Sequence, residues 1–232
     1  MDAELTELKK EGVGVVIPAF QASVSLAQVL EDLLRFLPAN KLLVVDDGST
    51  DDTAEIAARK GVFCLRHAVN RGKGAALMSG LLHARSLGWR WAVTLDADGQ
   101  HTSQDLEKFL TARPKASTGI VVGCRPRLGT AMPWHRRFSN SLSTWIVSRL
   151  AGKPVFDAQS GFRAYRLSLL DAYPGEGRFE WEAQALILCC RQGYQVEKVP
   201  IRTVYAGQES HIRMGRDIWR FLRMAGRLAW TR

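Results

Sequence analysis

The feature that most constrains this chain is a repeated alternation. A short aliphatic run is followed by a polar or glycine-containing break, and then by apolar residues at helical spacing. Val13 to Ile17 is such a run, closed by Pro18, and Leu26, Val29, Leu30, Leu33, Leu34 and Leu37 recur after it. Leu42 to Val45 ends in Asp46-Asp47-Gly48, where Ser49 or Thr50 can cap a helix that runs through Lys60 and stops at Gly61. Val62 to Leu65, a turn at Asn70 to Gly74, a helix to Leu87, the strand Trp91 to Leu95, a helix from Ser103 to about Ala112 and the strand Ile120 to Gly123 continue the series. Strands alternating with long helices imply right-handed crossovers, hence an α/β fold in three layers with a mostly parallel sheet flanked by helices. Ligands of such sheets gather at strand carboxyl ends. Pro18, Asp46-Asp47, Asp96-Asp98 and Arg125 all fall there. Beyond Arg125 the pattern loosens into an amphipathic segment from Phe138 to Leu150, a turn at Ser160-Gly161, a helix around Glu182 to Arg191 and a strand from Gln195 to Val204.

A chain of 232 residues with 46% hydrophobic content can bury one sizeable core. The expected organisation is a single domain over 1–212 in two halves, about 13–125 and about 126–212, followed by a basic amphipathic helix over 213–232. On that last segment Ile218, Phe221, Leu222, Ala225, Leu228 and Ala229 share one helical face, and Arg216, Arg220, Arg223 and Arg227 lie opposite. Such a helix can lie on an anionic membrane, pack on its own domain or dock on a membrane partner subunit. No apolar run is long enough to span a bilayer and Met1 to Glu11 is charged, so a cytoplasmic protein, peripheral on the inner membrane face, is expected. Cys64, Cys124, Cys189 and Cys190 lack metal-ligand spacing, three of them lie in apolar surroundings, and they are expected as buried reduced thiols.

The net charge of +9 is unevenly distributed. Between Lys108 and Phe156 stand Lys108, Arg113, Lys115, Arg125, Arg127, Arg136, Arg137, Arg149 and Lys153, with no Asp or Glu among them. That stretch is either a solvated basic face or a surface for a polyanion such as phosphates, lipid headgroups or nucleic acid.

Asp96 and Asp98, one residue apart after a buried strand, can present two carboxylates to a hard cation such as Mg²⁺ or Mn²⁺, with Gln100 adding a neutral oxygen. The same residues are also ordinary turn formers. Asp46 and Asp47, at a strand end, can accept hydrogen bonds from a ribose or base, yet Asp-Gly is also a turn signal, while Asp51 and Asp52 read as first-turn residues favoured by a helix dipole. Asn70-Arg71-Gly72-Lys73-Gly74 can bring backbone amides and Lys73 towards phosphate, yet it lacks the spacing of a nucleotide triphosphate loop.

Five motifs occur in order: Pro18-Ala19-Phe20, Val44-Val45-Asp46-Asp47-Gly48-Ser49-Thr50-Asp51-Asp52-Thr53, Asn70-Arg71-Gly72-Lys73-Gly74, Asp96-Ala97-Asp98-Gly99-Gln100-His101 and Gln159-Ser160-Gly161-Phe162-Arg163. This set, spread from about Val13 to Arg213, resembles family 2 glycosyltransferases, and within them the dolichyl- or polyprenyl-phosphate sugar synthase branch. The resemblance implies a GT-A, Rossmann-like fold, a GDP- or UDP-hexose donor, Mg²⁺ or Mn²⁺ and inversion at the anomeric carbon. It places Pro18, Phe20, Val45, Asp47, Lys73, Asp96, Ala97, Asp98, Arg125 and His211 at the donor, and Asp96, Asp98 and Gln100 at the metal. Arg125, Arg137 and Ser141 go to a lipid-phosphate acceptor, Asp98, Arg125 and Arg137 are the expected catalytic set, and Glu182 matches a family acid. Gln21-Ala22 and Glu209-Ser210-His211 depart from the family pattern at the nucleotide and diphosphate positions. A phosphate acceptor with a second pKa of about 6 is largely a dianion near neutral pH and needs no general base. The remaining alternatives are a hydroxyl acceptor, which would need a base such as Glu182, and a non-catalytic nucleotide-sugar or polyanion binder; nucleic acid is not an expected partner.

Overall fold

A computed structural model of the protein describes residues 12–99, 104–112, 115–125, 134–173, 180–202 and 214–230. Its centre is a seven-stranded sheet of β1 (Val13–Ala19), β2 (Leu42–Asp46), β3 (Phe63–Arg66), β4 (Trp91–Thr94), β5 (Thr118–Cys124), β6 (Arg163–Arg166) and β7 (Gln195–Pro200), in the order β3-β2-β1-β4-β6-β5-β7. The helices are α1 (Ser23–Leu34), α2 (Thr53–Arg59), α3 (Lys73–Ser86), α4 (Gln104–Thr111), α5 (Trp134–Ala151), α6 (Glu180–Arg191) and α7 (Met214–Trp230).

Alternation along the central strands divides the interior into two cores, because successive side chains leave a strand on opposite faces. Val15, Ile17, Leu42 and Val44 point to one side and pack with Leu26, Leu30 and Leu33 of α1, Ile56 of α2 and Leu106 and Phe109 of α4. Val16, Leu43, Val45, Ile120 and Val122 point to the other and meet Leu77 and Leu81 of α3, Val147 of α5 and Leu186 of α6. Helices therefore cover both faces, giving the three layers expected. Full burial of each leucine contributes roughly 2 kcal/mol. At Gly80 a Cβ would lie 2.5 Å from Val16 Cγ1 and 2.7 Å from Val45 Cγ2, so a side chain there would lift α3 off the sheet.

The departure from a parallel sheet is β6, which the sequence pattern shows only as the residues after a turn. It runs antiparallel to both β4 and β5, while β1-β2, β1-β4, β2-β3 and β5-β7 are parallel. Two reversals restore the direction, so β5 points the same way as β4, and Arg125 emerges on the edge that carries Asp46 and Asp96. Asp51 does not sit in a helical turn: α2 begins at Thr53, and Asp51 precedes it.

On α7, Met224 and Leu228 are buried and Phe221 packs against the same core; Arg191 of α6 anchors the helix by donating to the Leu228 carbonyl at 2.5 Å. The buried face is thus rotated from the expected one, and Leu222 faces outward at 55% exposure. All four cysteines are free; Cys189 and Cys190 are buried as expected, but Cys124 is only half-buried and Cys64, on the edge strand β3, is exposed. Burial pushes the Cys189 thiol up to about 12, which keeps it unreactive. Among the described residues no helix is long and apolar enough to cross a membrane.

Candidate active site

The loops after β1 and β2 are sewn together by backbone amides. Gln21 sits at φ +53°, a left-handed conformation that costs a non-glycine residue energy, and its backbone N–H donates to Ser49 Oγ at 3.0 Å while Nε2 donates to Thr50 Oγ1 at 2.8 Å. Asp51 accepts from Ser23 N at 3.0 Å and Thr53 N at 3.1 Å, so one carboxylate satisfies the amino-terminal ends of both α1 and α2. Partial burial opposes its ionisation, but the hydrogen bonds from Thr53 and Ser23 prevail and bring it down to about 2.

Asp47 is buried, and its oxygens accept from Arg71 N at 2.9 Å and Gly72 N at 2.7 Å, with His67 Nδ1 at 2.7 Å. Its carboxylate shapes the loop that delivers Lys73 to the first turn of α3. Pro18 pairs with Val45 across β1 and β2, and both are buried. Phe20, by contrast, is 48% exposed at the end of β1.

Lys73 reaches across the sheet edge. Its Nζ lies 2.8 Å from Asp96 Oδ1 and 3.2 Å from Glu182 Oε2, although sequence patterning had suggested only a phosphate partner for it. Burial works to lower the ammonium's pKa, but the two carboxylates outweigh it and hold it above the ordinary lysine value. Gly161 crosses directly over this pair: a Cβ there would stand 2.7 Å from Asp96 Oδ2 and 2.9 Å from Lys73 Nζ. The Gly161 backbone can approach so closely because Arg163, fully buried, donates to the carbonyls of Ser160 (2.7 Å), Ala158 (2.8 Å) and Glu182 (2.6 Å), binding this loop to α6. Among the described residues, Ser160 Oγ and Glu182 Oε1 are buried without a hydrogen-bond partner.

Asp98 is partly exposed two residues beyond Asp96, and Ala97 between them is buried, with its carbonyl accepting from Ser25 Oγ at 2.6 Å. Among the described residues no group of three His, Cys, Asp or Glu converges on one point. Two carboxylates at a strand end suit a hard cation that takes its remaining ligands from a diphosphate and water, the mode Mg²⁺ usually adopts, so the residues fit a divalent metal of that kind. Gln100 and His211 lie outside the described residues.

Arg125 emerges at the end of β5 into a second cluster. It grips Asp157 through Nε at 2.8 Å, Nη2 at 2.6 Å and its backbone N–H at 3.1 Å, and Asn140 Nδ2 of α5 adds a bond at 2.9 Å. Burial of Asp157 favours its neutral form, yet Arg125 wins and holds the carboxyl below the usual range. Asp157 itself takes φ +37°. Sequence reasoning missed Asp157; its signal was that it is the first acid after the acid-free basic stretch, just ahead of the Ser160-Gly161 turn. Arg137 and Ser141 stand exposed on α5, the helix whose Asn140 bonds Asp157.

The match to known proteins agrees with this layout. Residues 14–173 match the family described as glycosyl transferase family 2. An uncharacterized protein of Methanocaldococcus jannaschii is 33% identical, over 88% of this chain and 86% of its own length. The UDP-N-acetylglucosamine–dolichyl-phosphate N-acetylglucosaminyltransferase of Methanococcus voltae is 31% identical, over 82% of this chain and 85% of its own. Among solved structures, glucosyl-3-phosphoglycerate synthase of Mycobacterium tuberculosis in complex with UDP superposes with a TM-score of 0.75 at 19% identity, covering 98% of this chain and 84% of that one. That likeness is one of fold, the GT-A arrangement. With its carboxylates gathered on one sheet edge and its motifs matched in order, the chain belongs to glycosyl transferase family 2.

Proposed function

We propose that the protein is an inverting transferase that moves a hexose from a UDP- or GDP-linked donor to a polyprenyl-type lipid phosphate, peripheral on the cytoplasmic face of a membrane. The observation that carries this reading is the outer side of α5. Arg137 and Ser141 are exposed there together with Phe138, Leu142 and Trp145, which are 65%, 47% and 61% exposed. A cation and a hydroxyl suited to a phosphate therefore stand beside an apolar strip suited to its lipid.

Helix α7, packed against α5, extends the same chemistry. Trp219 and Trp230 are 60% and 93% exposed, and the Arg223 guanidinium lies 5.3 Å from the Trp219 ring centre. Exposed Arg137, Arg149, Arg223 and Arg227 complement an anionic bilayer, each contributing about 1 kcal/mol near its surface. The dolichyl-phosphate acceptors named for the Methanococcus voltae protein and for a 28% identical yeast protein support the same acceptor class.

At the donor, Asp96 and Asp98 would hold the divalent ion, with Gln100 beside them in the sequence, and Asp47 would set the loop that faces the nucleotide. A bound Mg²⁺ or Mn²⁺ would neutralise charge developing on the departing diphosphate. Arg125, held in place by Asp157, and Arg137 would bring a phosphate dianion towards the anomeric carbon without a general base. One observation favours a second reading: Glu182 places a buried acid with an unpartnered oxygen beside Lys73, as a hydroxyl acceptor would require.

The test is transfer of labelled hexose from UDP- and GDP-sugars, with Mn²⁺, to a polyprenyl phosphate and to the corresponding alcohol. Metal-dependent labelling of the phosphate alone supports the main reading, and labelling of the alcohol favours the second. If every donor remains untouched, both fail.

A further inference from the structure

Lys73 does not point away from the carboxylates towards an empty phosphate cleft. It is largely buried, 2.8 Å from Asp96 and 3.2 Å from Glu182, and the Gly161 backbone closes over the contact. Of the two Asp96 oxygens, Oδ1 faces this ammonium and Oδ2 faces Gly161. A divalent ion approaching Asp96 therefore meets a positive charge already seated on the ligand it needs.

We propose that Lys73 is a positioning residue that acts as the resident counter-cation of Asp96, weakening the site for free metal and tying Asp96 to Glu182 on the acceptor-side helix until a metal-bound diphosphate arrives. This rests on the reading of Asp96 and Asp98 as the metal pair. The physical basis is charge balance. Lys73 sets one positive charge between the carboxylates of Asp96 and Glu182, so a free dication gains less at Asp96 than that acid would offer without the ammonium. A nucleotide diphosphate brings negative charge of its own, to which the ammonium can turn while Glu182, on its other side, keeps it within reach. The metal would then load with the nucleotide rather than ahead of it.

A merely supporting lysine makes the opposite prediction. Removing an outer hydrogen bond that only orients a metal-binding carboxylate weakens metal affinity, typically about 10–100-fold. Removing a competing cation strengthens it.

The experiment is titration of the purified chain with MnCl₂ alone, by calorimetry, followed by UDP or GDP. Lys73→Met is expected to bind free Mn²⁺ at least ~10-fold more tightly than the wild type, while Lys73→Arg, which keeps the charge, stays within about twofold of it. Free Mn²⁺ binding by Lys73→Met that is unchanged, weaker or absent overturns the proposal, as does tightening in Lys73→Arg. Should Lys73→Met fail to fold, Glu182→Gln decides: leaving the ammonium to Asp96 alone is expected to weaken free Mn²⁺ binding about threefold or more, and unchanged or tighter binding overturns the idea. Failure of the donor reading shows separately, as absence of UDP and GDP binding to the wild type at saturating Mn²⁺, whereas the Mn²⁺ ratio between variants answers for Lys73 itself.

Discussion

Arg125 and Asp157 form a two-pronged ion pair, with Nε and Nη2 at 2.8 and 2.6 Å from Oδ2 and Oδ1, at the point where β5 hands the chain to the acceptor side. Asp157 is buried, so removing it breaks both prongs of the pair at once. Asp157→Ala is expected to cost about 3 kcal/mol in urea unfolding, the loss typical of a broken buried pair. The pH dependence has a definite sign. A carboxyl whose folded pKa is depressed stabilises above its unfolded value of about 3.9 and loses that contribution as pH falls through the folded value. The gap between wild type and Asp157→Asn should therefore be full at pH 6 and shrink below about pH 4; a gap that persists to the lowest pH would refute the ion-pair account.

Asp51 offers a second acid-sensitive contact, this time at the surface. Its carboxylate receives the amides of both Ser23 and Thr53, so Asp51→Ala should destabilise by about 1 kcal/mol, as loss of a helix cap does. With a folded pKa of about 2, the contribution is present above about pH 4 and fades as pH falls towards 2. Melting temperatures of the two proteins should converge over that range.

Gly161 predicts a separation of stability from function. A methyl group there would press on Asp96 Oδ2 and Lys73 Nζ, both at the ends of side chains that can move. Gly161→Ala should therefore change unfolding free energy by less than about 1 kcal/mol. Donor turnover should nevertheless fall by about 10-fold or more, because small displacements of a positioned group are costly in rate. Equal turnover in both proteins would mean that the Asp96–Lys73 geometry is not used.

The outward side of α5 is tested without any sugar. Phe138→Ser with Trp145→Ser should reduce sedimentation with anionic phospholipid vesicles by about 10-fold, and raising salt should weaken wild-type binding as well. If the double variant binds vesicles like the wild type, the strip serves another partner, such as a protein subunit, and a pull-down against membrane extracts would then be the informative measurement.

For the site itself, Asp98→Ala should abolish metal-dependent donor use, whereas Arg137→Ala should raise the acceptor KM and leave donor KM nearly unchanged. Steady-state kinetics in both substrates separates the two.

The sequence by itself determined the alternation that builds three layers, the strand ends where polar residues emerge, and the ordered motifs that mark the family. These are local properties: apolar spacing reports which face of an element is buried, and the breaks report where strands end. It did not reveal β6, because Arg163-Ala164-Tyr165-Arg166 has no apolar alternation and a strand of that composition reads as a loop. Arg163 becomes a core residue only because three carbonyls from Ala158, Ser160 and Glu182 converge on its guanidinium. Nor did spacing reveal that Lys73 answers Asp96 and Glu182, or that Arg125 answers Asp157. Charge neutralisation acts through space between elements distant in the chain, and a buried ion acquires its partner only when the sheet order and crossovers have set both in place.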